Sequence, residues 1–320
     1  MRALGLKSKS TILVVGCGAI GGIYAAHLAR VTDVVGVDTN VAHVHAINRD
    51  GLKVFGRTTV VARFPAYDDA VSLPAGPIDA VLILVKSQAT AAAFSAISPR
   101  LSGRPVVVTL QNGMGNVETL ASLCDWDLAH GVSTEAGRYA EPGVIEHLIH
   151  GEESWLGPAR GSLASIAWLG QLMNEAGFPT RVVADPRGAI WSKFLFNCVM
   201  NPIGAILLGE NRARYEVPQV AELIDAMFAE GVRVAEAQGI ALQFDPTAIV
   251  KKIRAGELPL TKHAGSMAVD VAAGRETELD AMTGYLVRKA RALDIPVPVT
   301  ETVYRLAKGV EFAARLRQGS

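Results

Sequence analysis

Through the first half of the chain, short apolar runs rich in valine and isoleucine alternate with stretches of helical period. Thr11–Val15 (TILVV), residues 79–85 (DAVLILV) and residues 105–110 (PVVVTL) are nearly continuous apolar runs, the pattern of strands covered on both faces in a parallel sheet. Residues 34–37 add another strand, and residues 53–61 read as one or two short strands around Gly56. Residues 20–29, 41–49 and 89–97 carry helical patterns. This alternation predicts an α/β fold: a Rossmann-type, doubly wound parallel sheet. Near Gly143 the character changes. Val144–Ile149 and residues 154–156, separated by His150-Gly151-Glu152-Glu153, predict an antiparallel hairpin closing that sheet, followed by a helix over 162–176 and a last short strand over 181–184.

From Asp185 onward strand signals almost vanish. Val220, Leu223, Ile224, Met227 and Phe228 fall on one face of an amphipathic helix, as do Leu279, Met282, Leu286 and Leu293, and again Val303, Leu306, Ala307, Val310 and Ala314. Pro202, Pro218, Pro246, Pro259 and Pro296 punctuate these helices. The pattern therefore predicts a dinucleotide-binding domain over 1–185 and an all-α domain over 186–320, without internal repeats.

Composition narrows the function classes. Half of the 320 residues are apolar, enough for two cores, and 31 Lys+Arg balance 31 Asp+Glu, so no general nucleic-acid or anionic-membrane binder is expected. Three cysteines at irregular spacing (Cys17, Cys124, Cys198) read as free thiols in a reducing compartment. The close histidine pairs, His43-x-His45 and His147-x-x-His150, have neither the helical spacing nor the extra ligands of a zinc site, so no metal is expected. The opening Met1-Arg2-Ala3-Leu4-Gly5-Leu6-Lys7 lacks the apolar core of a signal peptide, and no run is long enough to span a membrane, which points to the cytoplasm.

Gly16-Cys17-Gly18-Ala19-Ile20-Gly21, followed by Gly22, is a GxGxxG between a buried strand and a helix. Its first glycine permits the tight turn, its second lets a pyrophosphate approach the backbone, and its third lets helix and strand pack closely. The phosphates then sit over the helix N-terminus, where N–H groups and the dipole favour an anion. Asp38, twenty residues after Gly18 and just past the second strand, is placed to accept hydrogen bonds from the adenosine ribose and to repel a 2′-phosphate, which favours NAD(H) over NADP(H). Lys86 and Asn112-Gly113 follow two further strands, where ligands of such sheets lie.

Lys193, Asn197 and Asn201 line one face of a helix whose other residues (Trp191, Phe194, Leu195, Phe196, Val199) are large and apolar. They form either a solvent stripe or a polar site, because burying them unpaired is costly. A lysine in such a surround can serve as general acid toward a carbonyl oxygen, and the amides can hold a small polar substrate. Downstream, residues 263–270, beginning with His263, and residues 274–280 are dense in polar groups.

Together these segments (GCGAIGG, LVKSQAT, LQNGMGN, WSKFLFNCVMNP, SMAVD and GRETELDAMTG) resemble, in order and over nearly the whole chain, the ketopantoate reductase (2-dehydropantoate 2-reductase) family. The resemblance implies an all-α second domain like the C-terminal domain of 6-phosphogluconate dehydrogenase, with the active site in the cleft. It implies reduction of ketopantoate to pantoate by a nicotinamide dinucleotide, in pantothenate and coenzyme A biosynthesis. By motif, Lys193 is the general acid, and Glu278 contacts the substrate hydroxyl and supports Lys193. Asn112, Asn197, Asn211 and Ser266 match substrate-binding positions, and Lys86 matches a lysine near the cofactor. Two departures stand out. Family members that use NADPH often carry an arginine after the second strand, where this chain has Asp38-Thr39-Asn40, which points to NADH. The glutamine commonly three residues after the strand-end lysine is displaced, with Gln88 two residues after Lys86. Two rival functions are a reductase of another small 2-keto or 3-hydroxy acid, and a dinucleotide-sensing regulator without chemistry. The small-molecule substrate is the expected partner, alongside a possible second copy of the chain in a homodimer.

Overall fold

The computed structural model describes residues 10–260 and 264–318; His263 lies outside them. The chain divides into two compact units. One runs to Gln111 and resumes over Asn116–Pro186, and the other holds Asn112–Gly115 and the chain from Arg187 onward.

The first unit contains, in chain order, β1 (Thr11–Val15), α1 (Ala19–Leu28), β2 (Asp33–Val37), α2 (Val41–Asp50), β3 (Leu52–Gly56), β4 (Val60–Ala62) and β5 (Ala66–Tyr67). It continues with β6 (Ala80–Ile83), α3 (Thr90–Ile97), β7 (Val106–Thr109), α4 (Asn116–Leu123), β8 (Leu128–Val132) and β9 (Ala136–Glu141). β10 (Val144–Ile149), β11 (Ser154–Arg160), α5 (Leu163–Glu175) and β12 (Thr180–Val182) complete it. The main sheet has eight strands in the order β12-β11-β8-β7-β6-β1-β2-β5. β1 pairs in parallel with β2 and β6, β7 and β8 continue in parallel, and β11 enters antiparallel to β8. Alternate residues of the central strands enter two different cores. Ile12, Val14, Leu82 and Val108 face one, and Leu13, Val15, Val81 and Val107 the other. Burial on both faces is why these strands read as unbroken apolar runs. The chain moves outward from β1 to β2 and β5 and then returns to β6 on the other side of β1. The carboxyl ends of β1 and β6 therefore form the topological switch point, the usual ligand crevice of such sheets.

The hairpin expected of Val144–Ile149 with residues 154–156 does not form. β10 pairs antiparallel with β9, across Pro142-Gly143, and parallel with β3. With β4 these strands make a second, four-stranded sheet in the order β4-β3-β10-β9. β11 belongs to the main sheet, so His150-Gly151-Glu152-Glu153 carries the chain from one sheet to the other. The alternation of β10 states that it has one buried face but not which strand it joins. Its true partner, β9, is a polar, mostly exposed edge strand that carries no apolar run. Gly22 lets the second sheet lie directly on α1, since a Cβ there would stand 2.1 Å from Ile145 Cδ1.

The helical unit contains α6 (Arg187–Ile206), α7 (Ala213–Glu216), α8 (Pro218–Glu236), α9 (Ala248–Arg254), α10 (Ser266–Ala272), α11 (Thr283–Ala292) and α12 (Pro298–Gln318). Buried α6 is its axis. Trp191, Phe194, Leu195 and Cys198 pack with Leu286, Ala290 and Ala307, while Val199, Met200 and Ile203 pack with Ile224, Met227, Phe228 and Val303. Pro202 lies inside α6 rather than ending it, whereas Pro218 and Pro298 open α8 and α12, where a missing N–H is no loss. Leu279 and Met282 are buried as their spacing suggests, but α11 begins only at Thr283, so they precede it.

The entry into α12 rests on Glu230 of α8. This buried carboxylate accepts the N–H groups of Val299 at 3.0 Å and Thr300 at 2.8 Å, two donors that α12 itself leaves unpaired. Glu230→Ala strands both, and hydrogen bonds to charged groups contribute about 1.5–3 kcal/mol each. We expect a loss of about 2–3 kcal/mol, read as a lower urea midpoint at unchanged slope, with a smaller loss for Glu230→Gln.

Candidate active site

The loop after β1 shows why its glycines stand where they do. Gly16 has φ +89, and a Cβ on it would lie 2.8 Å from the backbone nitrogen of Val85. A Cβ on Gly21 would lie 1.7 Å from the carbonyl oxygen of Gly16, so helix and loop touch backbone to backbone. Gly18 is different: nothing stands within 4 Å of where its Cβ would be. It precedes α1, which has no side-chain cap and no acid in its first turn. The helix N-terminus thus presents its N–H groups and positive dipole end beside open space, a fit for a pyrophosphate.

Asp38, at the end of β2, holds this loop. One carboxylate oxygen accepts the Cys17 N–H at 2.8 Å and the other the Asn40 N–H at 2.9 Å. Each oxygen keeps a further lone-pair position for a hydroxyl donor. His43 of α2 supports the same peptide from behind. Its Nδ1 accepts the Gly143 N–H at 2.9 Å, so its Nε2 carries the proton and donates to the Cys17 carbonyl at 2.8 Å. Cys17 itself is buried, and burial together with the Asp38 charge raises its thiol far above the ordinary range. It is a packing residue, not a nucleophile. All three cysteines are free, as their spacing suggests.

Lys86 follows β6, half-buried, at the head of a short turn over Ser87–Ala89, while Gln88 of that turn is exposed. A polar network fixes this strand end. Gln111 Nε2 donates to the Val85 carbonyl at 2.6 Å and to Thr90 Oγ1 at 2.9 Å. Thr90 Oγ1 donates to Asn116 Oδ1 at 3.0 Å, and Asn116 Nδ2 to Ser87 Oγ at 3.1 Å. Gln111, Thr90 and Asn116 escape the sequence pattern, although Gln111 directly precedes the Asn112-Gly113 turn.

In the helical unit, the polar line on α6 is only partly open to solvent. Asn197 is buried, and Lys193 and Asn201 are half-buried. Asn197 Nδ2 donates to Asn112 Oδ1 at 3.4 Å. The Asn112–Gly115 tetrapeptide is bound into this unit through Met114 N–H, which donates to the Ala281 carbonyl at 2.8 Å. Asn201 Nδ2 lies 3.4 Å from Met282 Sδ. Ala281 and Met282 belong to a turn that opens at Glu278, whose carbonyl accepts both of their N–H groups. Glu278 is half-buried. The turn is anchored on α12, where buried Glu311 accepts the Thr277 N–H at 2.8 Å and meets Lys308 Nζ at 3.0 Å. Burial alone would raise the Glu311 pKa, but these two donors outweigh it and hold the carboxyl below its ordinary range.

Asn211 and Ser266 lie on two further segments of the same unit. The Asn211 carbonyl accepts the Arg214 N–H at 3.2 Å, and buried Arg214 reaches the Ala264 carbonyl with Nη2 at 2.8 Å. Gly265, with φ +93, then turns the chain into α10 at Ser266, which is exposed. Arg214 thus joins the two segments that carry Asn211 and Ser266. Nothing in the sequence signals it.

A doubly wound sheet with a dinucleotide cradle at its switch point, followed by a helical unit carrying a lysine and amides on a buried axis, defines an NAD(P)-dependent oxidoreductase. The chain belongs to the ketopantoate reductase family. The family model "Ketopantoate reductase PanE/ApbA" matches residues 12–161, and "Ketopantoate reductase PanE/ApbA C terminal" matches residues 185–311. The chain is 33% identical over 303 residues to a 2-dehydropantoate 2-reductase of Halobacterium salinarum, covering 93% of this chain and 97% of the relative. A crystallised ketopantoate reductase of the same family from Ralstonia eutropha superposes with a TM-score of 0.83 at 30% identity, covering 96% of this chain and 99% of the other. D-mandelate dehydrogenase, solved with NADH and anilino(oxo)acetate, shares the fold at a TM-score of 0.83 and 20% identity, covering 95% and 99%. Among the described residues no helix is long and apolar enough to cross a membrane.

Proposed function

We propose that the protein reduces 2-dehydropantoate to pantoate with a nicotinamide dinucleotide, in the supply of pantothenate and coenzyme A. The observation that carries this reading is the partly buried Lys193-Asn197-Asn201 line on α6, with Asn112 hydrogen-bonded to Asn197, in a chain of the ketopantoate reductase family. A nicotinamide dinucleotide, when bound, would supply the hydride that the keto carbon accepts. Lys193 gives a proton to the carbonyl oxygen as negative charge develops there, so that C=O becomes CH–OH with electrons and protons balanced. Glu278 keeps the ammonium oriented and accepts from the substrate hydroxyl. Asn112, Asn197, Asn211 and Ser266 hold the substrate's polar groups. The Gly16-to-Gly21 loop, with Cys17, Ala19 and Ile20, would hold the pyrophosphate; Asp38 would take the ribose, and Lys86 lies at the neighbouring strand end.

Steady-state rates with ketopantoate and each reduced cofactor test the reading. Turnover of ketopantoate at a kcat/KM well above that for other branched 2-keto acids supports it. A tenfold preference for another keto acid, or no turnover with either cofactor, overturns it. The sensor reading is disfavoured by the presence of Lys193 and Glu278, which binding alone does not require.

The same reading gives NADH as the preferred cofactor. Asp38 already uses one lone pair of each oxygen on backbone N–H groups, which fixes its negative charge at the end of β2, where this reading puts the ribose. A 2′-phosphate there meets like charge without a basic partner on Asn40. The double variant Asp38→Ala/Asn40→Arg is expected to shift the NADPH:NADH ratio of kcat/KM toward NADPH by about tenfold or more, since one lost repulsion and one gained pair exceed about 1.4 kcal/mol. An unchanged ratio would remove Asp38 from the ribose.

A further inference from the structure

Far from the glycine loop, near the C-terminal end of α1, three side chains of the first unit converge. Glu135 lies in the short link between β8 and β9, His147 in β10, and His150 just after it. His147 Nε2 stands 2.6 Å and His150 Nδ1 3.0 Å from the same oxygen, Glu135 Oε2. The side chains of Glu135 and His147 are fully buried, and the second carboxylate oxygen, Glu135 Oε1, has no hydrogen-bond partner. Among the described residues this is the one group of His, Cys, Asp and Glu side chains whose donor atoms lie close enough together, within 4.8 Å, to hold a metal ion.

The surrounding hydrogen bonds decide which way the histidines point. His27 Nδ1 faces the Ala176 carbonyl at 3.2 Å, an acceptor only, so this nitrogen carries the proton. With that proton on Nδ1, the neutral ring offers its Nε2 as an acceptor. Thr58 Oγ1 therefore donates to it at 3.0 Å. Having given its only hydrogen, Thr58 accepts from His147 Nδ1 at 2.8 Å. The opposite ring nitrogen, His147 Nε2, is thereby turned toward the Glu135 carboxylate oxygen 2.6 Å away. A histidine that gives its far N–H to an outer acceptor and turns its near nitrogen inward is oriented as a metal ligand.

We propose that Glu135, His147 and His150 form a binding site for a divalent transition metal, with Zn²⁺ the best match. Two imidazoles and a carboxylate are the donor set of three-ligand zinc sites, and the fourth position goes to water. His150, with 23% of its side chain exposed, provides the entry path. Ligand atoms about 2.0–2.2 Å from a tetrahedral zinc lie roughly 3.4 Å apart, so the His147–Glu135 contact opens by less than 1 Å on binding. The site would tie the β9–β10 hairpin to the segment that crosses between the two sheets. Its role is structural: His27, beside the site, lies eight residues along α1 from the helix start at Ala19, about 12 Å. The spacing of His147 and His150 does not reveal the site, because its third ligand comes from the preceding strand link.

The test uses the full, untagged chain, stripped with chelator and dialysed at pH 7.5. Co²⁺ and Zn²⁺ are then added separately, followed by calorimetry, visible absorption and thermal unfolding. The expected results are uptake of about one equivalent, the d–d bands of four-coordinate Co²⁺, and a melting temperature raised by several degrees. His150→Ala should weaken binding at least tenfold while leaving the metal-free melting temperature nearly unchanged. Should that variant fold poorly, His150→Gln serves the same comparison. His45→Ala, an exposed histidine of α2, should bind as the wild type does. Wild type that takes up no metal would mean that a shared proton joins His147 to Glu135, and would overturn the proposal. So would undiminished binding by the His150 variants.

Discussion

Lys193→Ala is expected to lower kcat for ketopantoate reduction by about 10²–10⁴-fold, the usual contribution of a positioned general acid. The dinucleotide Kd should change little, because in the proposed mechanism Lys193 meets the substrate's carbonyl oxygen rather than the dinucleotide. The alternative role for Lys193, a solvent-facing residue on an amphipathic helix, predicts no change in rate. Its neighbours make that alternative poor: Asn197 one turn along is buried and already engaged with Asn112. Lys193→Arg separates charge from proton transfer. A guanidinium keeps the positive charge but does not release a proton near neutral pH, so the rate should stay close to that of the alanine variant. Recovery of most of the activity by arginine would mean that Lys193 acts by charge alone. Single-turnover rates with saturating cofactor make the measurement.

The second large effect is expected at Gly21. An added methyl there would stand 1.7 Å from the Gly16 carbonyl oxygen and 3.2 Å from Leu84 Cβ, so α1 or the loop must shift by more than an ångström. Overpacking of a rigid backbone contact costs about 3 kcal/mol or more. Gly21→Ala should therefore lower the melting temperature markedly and weaken dinucleotide binding at least tenfold. Gly18→Ala supplies the contrast. Its methyl meets no protein atom within 4 Å, so stability should hold while dinucleotide affinity falls, because the methyl enters the space a pyrophosphate needs. Equal effects of the two variants on stability and affinity would refute this division of labour between the two glycines.

What the sequence reveals about this molecule depends on range. The strand–loop–helix from Thr11 to Leu28 is legible because its glycines and the flanking apolar run are adjacent in the chain. The buried strands are equally plain, since double-sided burial writes an unbroken apolar run. The second sheet is not legible. β9 is a polar edge strand, and the alternation of β10 fits either partner, so the pattern pairs β10 with β11 while the structure pairs it with β9. The burial of Asn197, and with it the choice between solvent stripe and polar site, depends on the Asn112 tetrapeptide, 85 residues earlier in the chain. Arg214 and Glu311 lie among ordinary helical residues. Only the fold brings Arg214 to Ala264 and Glu311 to Thr277.

The membership of Asn112–Gly115 in the helical unit has a consequence for recombination between relatives. A chimera that exchanges only residues 187–320 would match one parent's Asn197 and Ala281 with the other parent's tetrapeptide. The smallest exchangeable module is therefore discontinuous: the helices together with four residues donated from the middle of the first unit. Crossover libraries that respect this should yield active hybrids more often than those cut once at the long junction. The tetrapeptide also sets an order of events during synthesis, because it leaves the ribosome well before the helix it must join.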